Sequence, residues 1–248
     1  MSAKDENQQV SSAESSDDFL RRRDAARQQI NAMDKDVLHD EPERQNFFNA
    51  VYENAKGDPA FVPWADLKAK EQLNQWLEEN NGIKSLSTLT AMDVACGLGD
   101  NAESLAKAGY ETTAFDLAAD AIDWAKKRFP NSKVNYQTAD LFALPSKWHQ
   151  AFDLVHECYT LQALPPEMLA KTSAAIASLV KPDGTLLVFT RIRADGADVS
   201  GPPWPLEESQ ISTFKDLGFE MIHDHRFNFE KNDRFIPHAF MEWRKLKS

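Results

Sequence analysis

The chain changes texture near Leu89. From there to the C-terminus, apolar strand-like runs recur at 91–96, 111–117, 133–138, 152–158, 185–190, 219–223 and 235–243. Helical patterns separate the first five, at 100–108, 118–129, a short piece near 142–148, and 166–180. Strands alternating with helices predict a mostly parallel, wound α/β sheet with helices on both faces. The last two runs depart from this pattern. They are joined by "EKND" with no helix between them, which predicts a hairpin and an antiparallel final strand. No internal repeat is visible.

The chain before Leu89 reads differently. Residues 1–18 are rich in Ser, Asp, Glu and Gln and lack apolar periodicity, as a solvated tail does. Asp18 to Asp36 can form a helix, but Phe19, Ala26, Ile30 and Met33 give it only a thin apolar stripe. Its basic triplet Arg21, Arg22, Arg23 reads as a solvated face. Residues 1–40 are therefore expected to be a flexible acidic tail with a possible helix. Pro42 then sits near a helix start, and Phe47, Phe48, Val51 and Tyr52 form a one-sided aromatic face that Gly57 and Pro59 terminate. A second helix places Leu73, Trp76 and Leu77 inward and closes at Asn81-Gly82. Residues 41–88 thus read as a helical lid and 89–248 as the core of one domain.

Composition narrows the partners. The 248 residues, 42% apolar and 27% charged, suffice for one large α/β domain. A net charge of -11 disfavours phosphate backbones and anionic lipid, so neither nucleic acid nor membrane is an expected partner. The polar start carries no apolar leader, and Cys96 and Cys158 show no metal spacing. A cytoplasmic setting with reduced thiols is expected.

The chemistry begins at "MDVACGLGD". In a wound sheet, ligands bind beyond the C-terminal ends of the strands, at the point where the winding reverses. Gly97 and Gly99 let a ligand approach the backbone. A dinucleotide fingerprint needs a third glycine, and the position holds Ala102. Asp100 at the helix start also opposes a pyrophosphate. The turn therefore suits an adenosyl group without phosphates, including one bearing positive charge. Asp116 ends the second strand, where a carboxylate can accept both ribose hydroxyls, and Asp140-Leu141 end the third, where an acid and a backbone N–H can meet adenine.

These pieces resemble the class I S-adenosylmethionine-dependent methyltransferases. "MDVACGLGD", "TAFDLAADAIDWAKKRF", "NYQTADLFALP", "FDLVHECYTLQAL" and "LVKPDGTLLV" occur in order and at the usual separations across 89–248. One departure is Ala95, where the family usually has glycine. The resemblance implies a Rossmann-like fold and S-adenosyl-L-methionine as cofactor. It implies that Asp93, Ala95, Cys96, Gly97 and Gly99 shape the methionine side of the pocket, with Trp64 over it. Asp116 would hold the ribose, Leu117 would pack on adenine, and Asp140 and Leu141 would bind the adenine edge. His156 or Glu157 would lie beside the methionine part and the methyl acceptor.

Two further stretches bear on the acceptor. "FVPWADL" before the core and "SGPPWPL" after the fifth strand resemble the thiopurine, thiol and halide methyltransferase branch. Trp64 and Trp204 would be apolar plates on loops stiffened by Pro63, Pro202, Pro203 and Pro205. A sulfonium beside an aromatic face gains about 0.5–2 kcal/mol. The expected acceptor is a small molecule, with sulfur or another soft nucleophile favoured, since a thiol is partly ionised near neutrality. An oxygen or nitrogen acceptor would need a base, for which His156, Glu157 and Tyr159 are candidates. A non-enzymatic S-adenosylmethionine-binding protein is a further alternative. Tyr159, Arg191, Pro203 and Trp204 are the expected acceptor contacts. Arg191 and Arg193 could hold an anionic group, or pair with Asp195 and Asp198. His223 and His225, two apart on a strand, are too few for a metal site, and none is expected. Oligomeric state is not encoded in any recognisable pattern.

Overall fold

The computed structural model describes residues 17–34, 41–80, 88–199, 201–231 and 234–247. The acidic segment 1–16 and the Asn81-Gly82 turn lie outside the described residues, as does the side chain of Met33.

The core strands are β1 (Thr90–Val94), β2 (Glu111–Asp116), β3 (Asn135–Thr138), β4 (Phe152–Cys158), β5 (Val180–Arg193), β6 (Leu206–Glu207), β7 (Phe219–Lys231) and β8 (Arg234–Lys245). The main sheet runs in the order β3-β2-β1-β4-β5-β8-β7, with short β6 paired to β5. β1 through β5 are mutually parallel, and β8 runs antiparallel to both β5 and β7. This is the wound, mostly parallel sheet with a terminal antiparallel hairpin that the periodicity predicts. The hairpin is longer than expected, because pairing continues through Glu230↔Phe235 to Lys231↔Arg234 and takes in the first two residues of "EKND". The winding reverses between β1 and β4, so the ligand crevice of such a sheet opens beyond Val94 and Cys158.

The helices are α1 (Asp17–Asp34), α2 (Glu41–Ala55), α3 (Glu71–Asn80), α4 (Asp100–Lys107), α5 (Ala119–Arg128), α6 (Thr160–Ala163) and α7 (Leu169–Leu179). Alternation along the strands sorts the core into two faces. On one face Met92, Val94, Val155, Leu186 and Val188 pack with Leu169, Ile176 and Leu179 of α7 and with Trp243. On the other, Ala91, Leu154, Leu187, Phe189 and Phe240 meet Leu73, Trp76 and Leu77 of α3 and Leu105 of α4. The buried Trp76 indole donates to Glu242 Oε2 at 2.8 Å, so this face holds no unpaired indole N–H from α3.

α1 departs from the expected loose tail. Phe19 and Ala26 are buried. Arg22 pairs with Asp58, Arg23 lies 3.3 Å from Asp66, and Arg27 donates to the Pro63 carbonyl at 2.7 Å. Two of the three consecutive arginines thus fasten α1 to the lid loop instead of facing solvent alone. Among the described residues, no helix is long and apolar enough to cross a membrane.

Candidate active site

The glycine turn leaves β1 through residues in the left-handed region: Ala95 at φ 50°, Gly97 at 54° and Gly99 at 90°. Ala95 therefore sits where an L side chain is disfavoured by about 1–2 kcal/mol, the physical reason a glycine suits that position. A Cβ on Gly99 would collide with the Tyr136 hydroxyl, and one on Gly97 would lie 3.2 Å from the Tyr52 hydroxyl. The turn is thus a cradle that side chains would fill.

Asp116, at the end of β2, braces it. Its Oδ2 accepts the Gly97 N–H at 2.9 Å, and its Oδ1 accepts the Ala118 N–H at 3.0 Å. Burial pushes its carboxyl up to about 6, against the pull of those N–H bonds. Each oxygen keeps a second lone pair, the requirement for accepting ribose hydroxyls. Asp140 Oδ1 accepts the Phe142 N–H at 2.8 Å, and its Oδ2 accepts Gln45 Nε2 at 3.0 Å. Gln45 belongs to α2, so the lid reaches the expected adenine acid directly. Leu141 is buried and Leu117 half-buried beside these acids.

Trp64 is half-buried over the turn. Its indole donates to the Tyr52 hydroxyl at 2.8 Å, and it packs edge-on against Phe48 and Tyr52. Asp93 and His156 are opposite one another on β1 and β4, with Oδ1 and Nδ1 2.7 Å apart. Both are buried, and Asp93 Oδ2 and His156 Nε2 have no hydrogen-bond partner. Glu157 is also fully enclosed, on the opposite face of β4. Its Oε2 caps α6 by accepting the Thr160 N–H at 2.8 Å and the Leu161 N–H at 3.3 Å, while Oε1 is unpartnered. Burial raises its carboxyl to about 8. Neither His156 nor Glu157 reaches open space in this conformation, so neither stands where a base for an entering acceptor would stand. Cys96 and Cys158 are free, half-buried thiols, each pushed up by burial.

Asp100 corrects an expectation. It forms a two-pronged pair with Arg128 of α5 at 2.7 and 2.9 Å, which neutralises the charge expected to repel a pyrophosphate. Asp93, Asp116 and Asp140 are the carboxylates that stand at or just beyond the strand ends. Among the described residues, no group of three or more metal-ligating side chains exists.

The residues expected to meet an acceptor are arranged differently from the sequence picture. Trp204 is buried rather than offered as a plate. Its ring packs 5.3 Å from the Arg44 guanidinium, and its backbone N–H donates to the Gln162 backbone carbonyl at 2.7 Å. Pro203 is half-buried. Arg193 pairs with Glu207 at 2.7 Å, not with Asp195 or Asp198. The Arg191 guanidinium has no hydrogen bond or ion pair among the described residues and lies 5.9 Å from the Tyr159 ring centroid. Tyr159 itself has φ 70° at the end of β4, and its hydroxyl lies 3.0 Å from His238 Nε2. Gln45, Tyr52, Lys70, Gln162 and His238 are site neighbours that the motifs did not mark.

Sheet order, glycine cradle and strand-end acids together define a Rossmann-like methyltransferase fold. Comparison with known proteins agrees: residues 91–184 match the family model of the methyltransferase domain. The ubiquinone biosynthesis O-methyltransferase of Aromatoleum aromaticum is 32% identical over 132 residues, 51% of this chain and 54% of that protein. The protein of the same name from Coxiella burnetii is 36% identical over 119 residues, 47% of this chain and 48% of that one. The chain therefore spans about half the length of the curated relatives it matches. Among solved structures, the Synechocystis PCC 6803 magnesium protoporphyrin IX methyltransferase with bound SAH superposes with a TM-score of 0.63 at 17% identity, covering 82% of this chain and 99% of that one. A Burkholderia thailandensis 1,6-didemethyltoxoflavin-N1-methyltransferase, with S-adenosylhomocysteine, gives 0.61 at 18%, covering 82% and 87%. The [4+2]-cyclase SpnF shares the fold at 0.60 and 17% identity, covering 71% and 81%, so the fold alone does not fix the reaction.

Proposed function

We propose that this chain transfers a methyl group from S-adenosyl-L-methionine to a small-molecule acceptor. One observation carries the reading: three carboxylates at or just beyond the C-terminal ends of β1, β2 and β3 stand around a glycine cradle at the switch point, whose Gly97 N–H donates to Asp116. That set fits two ribose hydroxyls, an adenine amino group and a cationic methionine part, and it disfavours phosphates. Asp116 holds the ribose, Asp140 and Leu141 the adenine edge, and Leu117 the adenine face. Asp93, Ala95, Cys96, Gly97 and Gly99 bound the methionine part under Trp64, with Glu157 fixing the end of β4 behind it. The cofactor supplies an activated methyl, while the protein supplies position and exclusion of water, which together account for about 7–11 kcal/mol of barrier lowering in well-oriented reactions.

The acceptor enters beside Tyr159 and Arg191, with Pro203 and Trp204 forming the wall behind. The thiopurine-like branch and its sulfur preference rest on "FVPWADL" and "SGPPWPL" alone, and the burial of Trp204 removes much of their physical support. An oxygen acceptor is favoured by the names of the curated relatives, which are O-methyltransferases. Calorimetric titration with S-adenosyl-L-methionine and S-adenosylhomocysteine tests the reading, followed by a screen of thiol, phenol and amine acceptors. Micromolar binding is expected, and no heat from either ligand would refute it.

A further inference from the structure

His238 belongs to no motif, yet it is built into the corner where the acceptor is proposed to enter. It lies on β8 opposite Arg191, at the same sheet edge as the ends of β1 and β4. Its Nδ1 is 2.7 Å from the Ile236 carbonyl, which can only accept, so Nδ1 carries the proton and Nε2 a lone pair. The Tyr159 hydroxyl, 3.0 Å away, therefore donates to Nε2. Both lone pairs of the Tyr159 oxygen are left to receive a hydrogen bond. Around the dyad stand Phe189, Phe227 and Phe229, with His238 centroid distances of 5.8, 5.7 and 4.7 Å. Lys70 Nζ lies 4.6 Å and the Arg191 guanidinium 5.9 Å from the Tyr159 centroid, so two cations favour any negative charge that develops on that tyrosine. Lys70 is six positions beyond Trp64, on the same loop that covers Gly97, which joins this corner to the cradle.

We infer that Tyr159 and His238 form a proton relay and that the methyl acceptor is a neutral hydroxyl compound, a conclusion that rests on the function proposed above. The acceptor oxygen takes the methyl group of the sulfonium, whose bonding pair stays on sulfur. The acceptor proton moves to the Tyr159 oxygen as the Tyr159 proton moves to His238 Nε2. The positive charge lost from sulfur reappears on the imidazole, which then releases its proton to water. Burial, with Arg191 and Lys70 nearby, lowers His238 to about 4, although the Ile236 carbonyl opposes this; the ring is neutral before the step and sheds the proton readily after it. A thiol, with a reference pKa of about 8.5, is partly ionised at neutrality and needs no relay; a phenol, at about 10, needs one.

Two acceptor probes separate the cases: catechol, neutral at pH 7.5, and thiophenol, ionised there. Tyr159→Phe and His238→Gln are compared with the wild type, with binding of S-adenosyl-L-methionine measured alongside. Glutamine keeps an oxygen to accept from Tyr159 but cannot carry the proton. Both variants are expected to lose about a hundredfold or more in kcat on catechol and far less on thiophenol, which needs no proton acceptor, with cofactor binding changed by less than about threefold; Tyr159→Phe also raises the catechol KM, because it removes the oxygen that receives the acceptor hydroxyl. Independently, nitrogen-15 NMR of the wild type is expected to show His238 neutral and protonated on Nδ1 from pH 8 down to pH 5. Equal losses on both probes, full catechol activity in His238→Gln, or a cofactor-binding wild type that leaves catechol unmethylated would overturn the relay. So would a His238 that is charged at pH 7.5 or carries its proton on Nε2. A wild type that binds no cofactor refutes the proposed function instead, and the NMR result then decides the dyad alone.

Discussion

Glu157→Gln isolates one buried carboxyl and gives a sign that can be checked. Glu157 is fully enclosed, and desolvation raises it to about 8, with the Leu161 and Thr160 N–H groups acting in the other direction. In the unfolded chain the group returns to its ordinary value near 4.5. The folded value is the higher one, so the native state holds an extra proton between these limits. The stability contributed is complete below about pH 4.5 and is lost as pH rises through about 8. At about 1.4 kcal/mol for each tenfold change in proton affinity, the loss amounts to about 3–5 kcal/mol. Glutamine keeps an oxygen for the Thr160 and Leu161 N–H groups and cannot ionise. Urea unfolding of both proteins from pH 5 to pH 9 is the assay. The wild type is expected to lose about 3–5 kcal/mol relative to the variant as pH rises from 5 to about 8, and the difference is expected to level off above that. Parallel curves would refute the claim that Glu157 is held protonated at the end of β4.

Other outcomes follow from the cradle and its supports. Ala95→Gly relieves a left-handed alanine worth about 1–2 kcal/mol and returns about 0.4–1 kcal/mol through unfolded-chain entropy; a net gain of about 0.5–1 kcal/mol is expected in the urea midpoint, and a loss would contradict the strain. Gly99→Ala forces a methyl into the Tyr136 hydroxyl at φ 90° and is expected to cost about 2–4 kcal/mol, with part of the loss recovered by adding Tyr136→Phe. Gln162 Oε1 accepts the Arg191 backbone N–H at 2.6 Å, so Gln162→Ala is expected to cost about 1–3 kcal/mol in thermal unfolding and to raise the acceptor KM more than the cofactor Kd.

Much of this architecture is legible in the chain because it is locally written. Each parallel strand is an apolar run, and its C-terminal end is marked by the residue types that follow it, so Asp116 and Asp140 can be placed before any coordinates exist. The terminal hairpin is legible for the same reason: two extended runs lie close together with no helix between them. What escapes the sequence is set by contacts between distant segments. Gln45 meets Asp140 across the lid, and His238 meets Tyr159 only because β8 enters the sheet beside β5. A lone histidine in the apolar run "FIPHAF" gives no sign of that partner. Asp100 looked like a free acid at a helix start until α5 brought Arg128 against it. Trp204 looked like an open plate, but Arg44 and Gln162 hold it inside. The helix of α1 was visible as a thin stripe, whereas its docking depends on arginine partners some 36 to 43 positions away.

The central claim is that this cradle holds S-adenosyl-L-methionine through Asp116, and calorimetric titration of wild type and Asp116→Ala tests it most directly. If the carboxylate makes charge-assisted bonds to the ribose, the substitution costs about 1.5–3 kcal/mol, a loss of about 10- to 160-fold in affinity. The account predicts wild-type binding and that loss in the variant. A wild type that does not bind, or a variant that binds equally well, would contradict it.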